Sequence, residues 1–158
     1  MSLRRGRGYG TEDTRVPYHA CRGGRHRLPA SVVQYYVPPE SLLAYGPYIW
    51  VALAGEEGPG LLDTGAASSA IDIALAKRLR LPVSGTHETT GVTGTGQYPQ
   101  FDADLEIPLL ETTVSRPLRG LPLIELGHPW DAVIGRDVLC QFEMLINGRT
   151  GLIRLEQA

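Results

Sequence analysis

Turn-forming residues interrupt this chain so often that no long helix can run through it. Nineteen glycines and twelve prolines are spread over 158 residues, and these are the two residues that most oppose a helix interior. The chain is nonetheless 42% hydrophobic and 20% charged, enough apolar content to bury a core and too little charge for a disordered segment. Its length is that of one ordinary domain. Short strands joined by tight turns are the expected solution, which makes the domain all-β.

Residues 31–37 (Ser-Val-Val-Gln-Tyr-Tyr-Val) are β-branched and aromatic and read as a strand closed by Pro38-Pro39. A second strand is expected over 48–54, with 55–60 turning the chain back into Leu61-Leu62-Asp63 and leaving Asp63 at a strand end. Asp72 can cap a short helix over 73–81, stopped by Pro82. Residues 86–100, with glycines at 85, 91, 94 and 96, read as a hairpin. Residues 102–110 alternate polar and apolar, the period of a half-buried strand. Further strands are expected over 118–126 and ending at 131–135, followed by a short helix over 136–142. Asn147-Gly148, between 143–146 and 151–155, signals a two-residue hairpin. No internal repeat is visible.

Charge is unevenly placed. Residues 1–30 hold seven arginines against Glu12 and Asp13, whereas the remainder holds eight basic and fifteen acidic side chains. A basic arm on an acidic body can bind nucleic acid or an anionic surface. The arm lacks the aromatic interleaving that stacks bases, so nucleic acid is not the expected partner. Cys21 and Cys140 are too few for a disulfide framework. His19, Cys21 and His26 lack a fourth ligand at metal-site spacing. No metal and no cofactor are expected. No apolar run is long enough for a transmembrane span, and no signal peptide is recognisable at the N-terminus, so the expected setting is cytoplasmic.

Asp63-Thr64-Gly65, directly after an apolar strand, is the most informative triplet. The expectation is that Gly65 permits a turn strained for other residues, Thr64 offers a hydroxyl to lock the loop, and Asp63 is presented at the tip. Alone, such a triplet is an ordinary β-turn. Competing motifs fail: Gly91-x-x-Gly94-x-Gly96 does not have dinucleotide-binding spacing, and Gly-x-Ser-x-Gly is absent. Ser68 and Ser69 have no histidine nearby in sequence, and His87 and His128 read as loop or surface residues. Trp130 reads as core, and Asp131 and Asp137 as capping or pairing residues.

Context gives the triplet its meaning. Leu61-Leu62-Asp63-Thr64-Gly65-Ala66, followed by Ala132-Val133-Ile134-Gly135-Arg136-Asp137-Val138-Leu139, resembles the retropepsin-like aspartic proteases. The helix-bearing stretch after Asp63 is closer to cellular and bacterial members than to the compact viral ones. The resemblance spans about residues 48–156. It implies an acid-protease-type β-barrel half, closed or partly open, with one or two short helices and a flap hairpin. It also implies a division into a basic extension with the first strand over 1–45 and a protease domain over 46–158.

By the same resemblance Asp63 is the catalytic carboxylate and Thr64 bonds across a dimer, with Gly65 supporting the loop. Substrate contacts fall to Ala66 and Ala67 and to the flap residues Gly91, Val92, Thr93, Gly94, Thr95 and Gly96. Ile134, Gly135 and Arg136 pack beneath the loop. In viral members an Asp two places after the Gly pairs with that Arg; here the place is Ala67, so Arg136 needs another partner, a carboxylate or a backbone carbonyl near the dimer seam.

The implied chemistry is peptide hydrolysis by a water activated between two carboxylates that share one proton. With a single such triplet and no repeat, the second carboxylate must come from a second copy. A homodimer acting on a peptide or protein substrate is therefore implied. Two other readings stand beside this one: a non-catalytic dimeric β-domain for peptide binding or assembly, and a protein whose basic arm dominates.

Overall fold

The computed structural model describes residues 32–91 and 94–157. The basic arm, with His19, Cys21 and His26, lies outside the described residues, as do Val92 and Thr93. Ten strands dominate: β1 (Val32–Tyr36), β2 (Tyr48–Leu53), β3 (Glu56–Leu62), β4 (Ala70–Asp72), β5 (Val83–Gly91), β6 (Gly94–Ile107), β7 (Thr112–Leu121), β8 (Ala132–Ile134), β9 (Phe142–Asn147) and β10 (Leu152–Gln157). Among the described residues three short helices join them, α1 (Pro39–Tyr45), α2 (Ile73–Arg78) and α3 (Arg136–Leu139), with a 3-10 turn at Pro108–Leu110. No described helix is long and apolar enough to cross a membrane.

Seven strands form one sheet in the order β2-β3-β8-β4-β7-β6-β5, and β2 also pairs with β6. That last pairing closes six strands into a ring, through Ala52↔Glu106 and Leu53↔Leu105 alone. The fold is the partly closed all-β barrel expected. β5 hangs outside the ring as the outer arm of a hairpin with β6. A second sheet, β1-β10-β9, contributes Tyr35, Ile153 and Leu155 to the same core as Ile49, Leu53, Phe101, Leu105 and Ile134. Alternation along β6 sets the barrel's two faces. Phe101, Leu105 and Ile107 are buried, while Asp102, Asp104 and Glu106 are exposed.

Several local expectations are corrected. The turn after β2 is two residues, Ala54 and Gly55, both with positive φ (50° and 83°), and β3 has already begun at Glu56. Gly58 and Gly60 lie within that strand because neighbours crowd them. A Cβ on Gly60 would come within 2.9 Å of the Val51 side chain. Pro39, expected to stop a strand, is instead the first residue of α1, where its missing N–H costs no helix bond. The described residues thus hold a few short helices, as expected, with α1 an addition to α2 and α3.

The strand expected over 118–126 starts earlier and ends at Leu121. β-Branched Thr112, Thr113 and Val114 open it, and after Pro122 the chain coils, with the Leu126 and His128 amides bonding back to Pro122 and Leu123. The hairpin signalled by Asn147-Gly148 forms between β9 and β10, with a connection longer than two residues. Residues 148–151 connect the last strands, Asn147 Oδ1 accepts the Arg149 and Thr150 amides, and Gly151 takes the positive φ of 75°. The helix expected over 73–81 does form behind its Asp72 cap, whose carboxylate accepts the Leu75 amide at 2.8 Å, but it ends at Arg78. Trp130 is core, packed against Tyr45 and Tyr48.

Candidate active site

β3 and β8 run parallel, with Gly60, Leu61 and Leu62 opposite Ala132, Val133 and Ile134. The ladder extends one residue further, because the Asp63 amide donates to Ile134 O at 3.0 Å. Leu62 and Ile134 are buried, so the backbone of Asp63 leaves the end of a packed pair of strands with its direction fixed. Asp63 itself is half-buried, and Thr64 and Gly65 are exposed.

The loop then folds over its own aspartate. The Gly65 amide donates to Asp63 Oδ1 at 2.8 Å, the two-residue aspartate turn in which a side chain replaces a backbone acceptor. The Ala66 amide donates to Asp63 O at 3.2 Å. Gly65 does not have positive φ, which corrects the expected role of its glycine. What it supplies is space: a Cβ there would lie 3.0 Å from Asp63 Oδ1.

Arg136 answers the question left by Ala67. Its Nη1 donates to Thr64 O at 2.8 Å and to Gly65 O at 3.1 Å, and its amide donates to Ala66 O at 2.9 Å. One residue at the start of α3 thus grips three successive carbonyls of the loop. The carbonyls take the place of the absent carboxylate partner.

Below this grip lies a second one that the sequence did not reveal. Buried Ser69 donates its amide to both oxygens of Asp137, at 2.9 and 3.0 Å, and its hydroxyl to Oδ1 at 2.8 Å. Ser69 Oγ in turn accepts the Gly135 amide at 3.1 Å. Gly135 sits so close beneath the loop that a Cβ would stand 2.6 Å from the Ser68 carbonyl carbon. Asp137 therefore pairs, as its sequence context suggested, but nothing in the sequence joins it to Ser69. Likewise Asp72 both caps α2 and accepts the Ile124 amide at 3.0 Å, tethering the loop before β8.

Of the sequence-derived site residues, the structure brings together Asp63, Thr64, Gly65, Ala66, Ile134, Gly135 and Arg136. Ala67 is exposed beside them. Gly91, Gly94, Thr95 and Gly96 lie at the far end of the β5–β6 hairpin. Along that hairpin His87 and Tyr98 are opposite each other, with ring centroids 6.3 Å apart, and Thr89 Oγ1 hydrogen-bonds His87 Nε2 at 2.6 Å. Burial, and then the positive charge of Arg119, hold the His87 imidazole below its ordinary value of 6.5, against an opposing backbone hydrogen bond at Tyr98. Among the described residues no group of three or more His, Cys, Asp or Glu side chains is arranged to hold a metal ion.

An apolar strand pair ending in a clamped Asp-Thr-Gly loop, on a partly closed barrel with a projecting hairpin, is the arrangement that the sequence resemblance implied. Residues 49–113 match the family model described as aspartyl protease. That is the family to which this chain is similar. The match takes in the Asp63 loop and the hairpin as far as the start of β7. It supports protease function at the level of the family. The β8–α3 corner lies beyond the matched stretch and is joined to it by the bonds of Arg136, Gly135 and Asp137. Among curated proteins none matches the chain.

Proposed function

We propose that this protein is an aspartic endopeptidase that works as a homodimer, with one Asp63 from each copy forming the catalytic pair. The observation that carries the reading is the Asp63 loop itself. A half-buried carboxylate stands at the end of a packed strand pair, held in place by the Gly65 amide and by a loop that Arg136 grips from below. Of the two Asp63 carboxylate oxygens only Oδ1 receives a hydrogen bond from the described residues, so Oδ2 is left for a water or a partner carboxyl.

One carboxylate cannot serve as base and acid at once. Two brought within hydrogen-bonding distance cannot both ionise, so one stays protonated and the pair titrates as a unit. The ionised member takes a proton from water, which attacks the scissile carbonyl, and the neutral member protonates the developing oxyanion. Exposed Thr64 is suited to reach its own copy across the two-fold axis.

The hairpin of β5 and β6 would cover the bound peptide and exclude water. Strand-like pairing of the peptide along the loop would run chiefly through Ala67. The amides of Gly65 and Ala66 are donated to Asp63, and their carbonyls are held by Arg136. We assign the protease domain to residues 46–158 and leave 1–45 as an extension, within which β1 and α1 supply an outer strand and helix.

The deciding experiment is peptide cleavage by the full chain and by Asp63→Asn. Loss of turnover with dimer and fold retained supports the assignment, and an Asp63→Asn chain that still cleaves sinks it.

A further inference from the structure

β6 is a single strand of fourteen residues, and its alternation carries the faces of the barrel outward into the hairpin. Phe101, Leu105 and Ile107 point into the core. The same parity puts Pro99, Gln97 and Thr95 on the continuation of that inner face, and their partners across the ladder are Thr86, Glu88 and Thr90. Directly opposed residues share a face. Among the described residues beyond the Val83–Phe101 pair, the side of the hairpin that continues the barrel interior is therefore hydrophilic, with Pro99 its one apolar member.

The opposite face holds the larger ring groups. Tyr98 and His87 share it, and Gly96 leaves room for the tyrosine: a Cβ there would come within 2.9 Å of the ring. A hairpin that covers apolar peptide side chains should show the reverse pattern, since apolar area removed from water is what holds a cover closed. Here closing on an apolar side chain would remove a carboxylate from water without a partner, which is strongly unfavourable.

Glu88 is exposed, and its one hydrogen bond is a long contact of 3.4 Å from Gln97 Nε2. Among the described residues it makes no ion pair. Arg119 pairs with Gln100, placing it on the Tyr98 side of the hairpin, where its charge acts on His87. A carboxylate can accept several hydrogen bonds at once. Closing the hairpin over a lysine or arginine side chain would give Glu88 a charge-assisted partner and let the polar neighbours keep theirs.

We propose that Glu88 is a specificity-determining residue that selects peptides carrying a basic side chain beneath the hairpin. The inference rests on the protease reading for the placement of the peptide, but its test does not depend on cleavage.

The full chain carrying Asp63→Asn, which holds peptides without turning them over, is titrated with labelled peptides in which one Arg or Gln is moved along an otherwise constant sequence. At one or two positions Arg should tighten binding by roughly five-fold or more over Gln, and the gain should shrink as salt is raised. Adding Glu88→Gln should remove the gain, and Glu88→Lys should transfer it to peptides bearing Glu. The absence of any position favouring Arg, a failure to bind at all, or a gain that survives Glu88→Gln would each overturn the proposal. Wild-type chain that cleaves neutral and basic peptides alike would keep the protease reading and sink this one. Arg-selective binding by a chain without peptidase activity would do the opposite.

Discussion

The carboxylate of Asp137 receives both the amide and the hydroxyl proton of Ser69, sixty-eight residues away in sequence. The same hydroxyl oxygen accepts the Gly135 amide, so a buried serine joins the end of the Asp63 loop to the corner below it. A hydrogen bond to a charged group contributes about 1.5–3 kcal/mol, and leaving a buried amide without its acceptor costs a similar amount. Ser69→Ala and Asp137→Ala should each destabilise the fold by about 2 kcal/mol, with a coupling of about 1–2 kcal/mol in a double-mutant cycle. Denaturant midpoints measure this directly, and coupling within error of zero would remove the brace from the account.

Arg136 acts on the loop and hardly on the core. Its guanidinium is exposed, so losing the contacts to Thr64 and Gly65 should cost only about 1 kcal/mol of stability. Catalytic geometry is less forgiving, because a displacement of about 1 Å can cost on the order of a hundred-fold in rate. Arg136→Ala should therefore lower kcat/KM by roughly ten-fold or more while moving the thermal midpoint little. Lysine cannot reach two carbonyls with a planar fork, so Arg136→Lys should recover stability better than rate. Parallel losses in both measurements would mean that the arginine is only a structural prop.

The two loop glycines should separate in the same way. A methyl on Gly135 meets the Ser68 backbone at 2.6 Å, and no rotation relieves a backbone clash. Gly135→Ala should cost about 2–3 kcal/mol, at the upper end for overpacking. A methyl on Gly65 meets only the Asp63 carboxylate, at 3.0 Å, in an exposed loop without positive φ. Gly65→Ala should leave stability within about 1 kcal/mol of wild type and instead reduce turnover by turning the carboxylate. Calorimetry and kinetics on the pair would contradict this if Gly65→Ala proved the less stable.

Legibility in the sequence followed the range of the interactions. Short-range signals held: Asp72 caps the following helix, alternation marks β6, and Asp63 stands at the end of β3. Signals carried by glycine and proline misled wherever crowding by a distant segment, and not local conformation, had selected the residue. Gly58, Gly60 and Gly135 are small because Asp131, Val51 and Ser68 press on them, and no local rule encodes that. Gly148 looked like the turn glycine, yet the positive φ belongs to Gly151, where a Cβ would lie 1.9 Å from Val37 O. Resemblance places Arg136 beneath the loop with a carboxylate or a backbone carbonyl for partner, and which carbonyls it holds depends on β8 lying beside β3. Ser69 and Asp137 carried no sequence signal of each other.

His87 makes the hairpin sensitive to acid. Its folded value lies below the ordinary 6.5, through burial first and Arg119 second. Well above 6.5 the imidazole is neutral in folded and unfolded chains alike, and it contributes no pH dependence. As pH falls below 6.5 the unfolded chain takes up the proton first, so stability declines until pH passes the folded value, and then levels off. Titration of the His87 ring protons by NMR should give a midpoint below 6.5 that rises in Arg119→Gln. A midpoint at or above 6.5 would contradict the sign.

The proposed sharing of a site between two copies has a quantitative consequence. If each catalytic pair needs both Asp63 side chains, a dimer with one Asp63→Asn chain is as inactive as one with two. Where co-refolded equal amounts of wild-type and Asp63→Asn chains pair at random, which native mass spectrometry with one chain tagged checks, about one dimer in four carries two intact copies. Activity should then fall to about a quarter of that of wild type at the same total concentration, since only dimers with two intact copies work. Independent sites, one per chain, would leave about half. A series of mixing ratios distinguishes a square law from a straight line without any structure of the dimer. A straight line would place the whole active site within one copy, and the single aspartate at Asp63 could not then supply both base and acid.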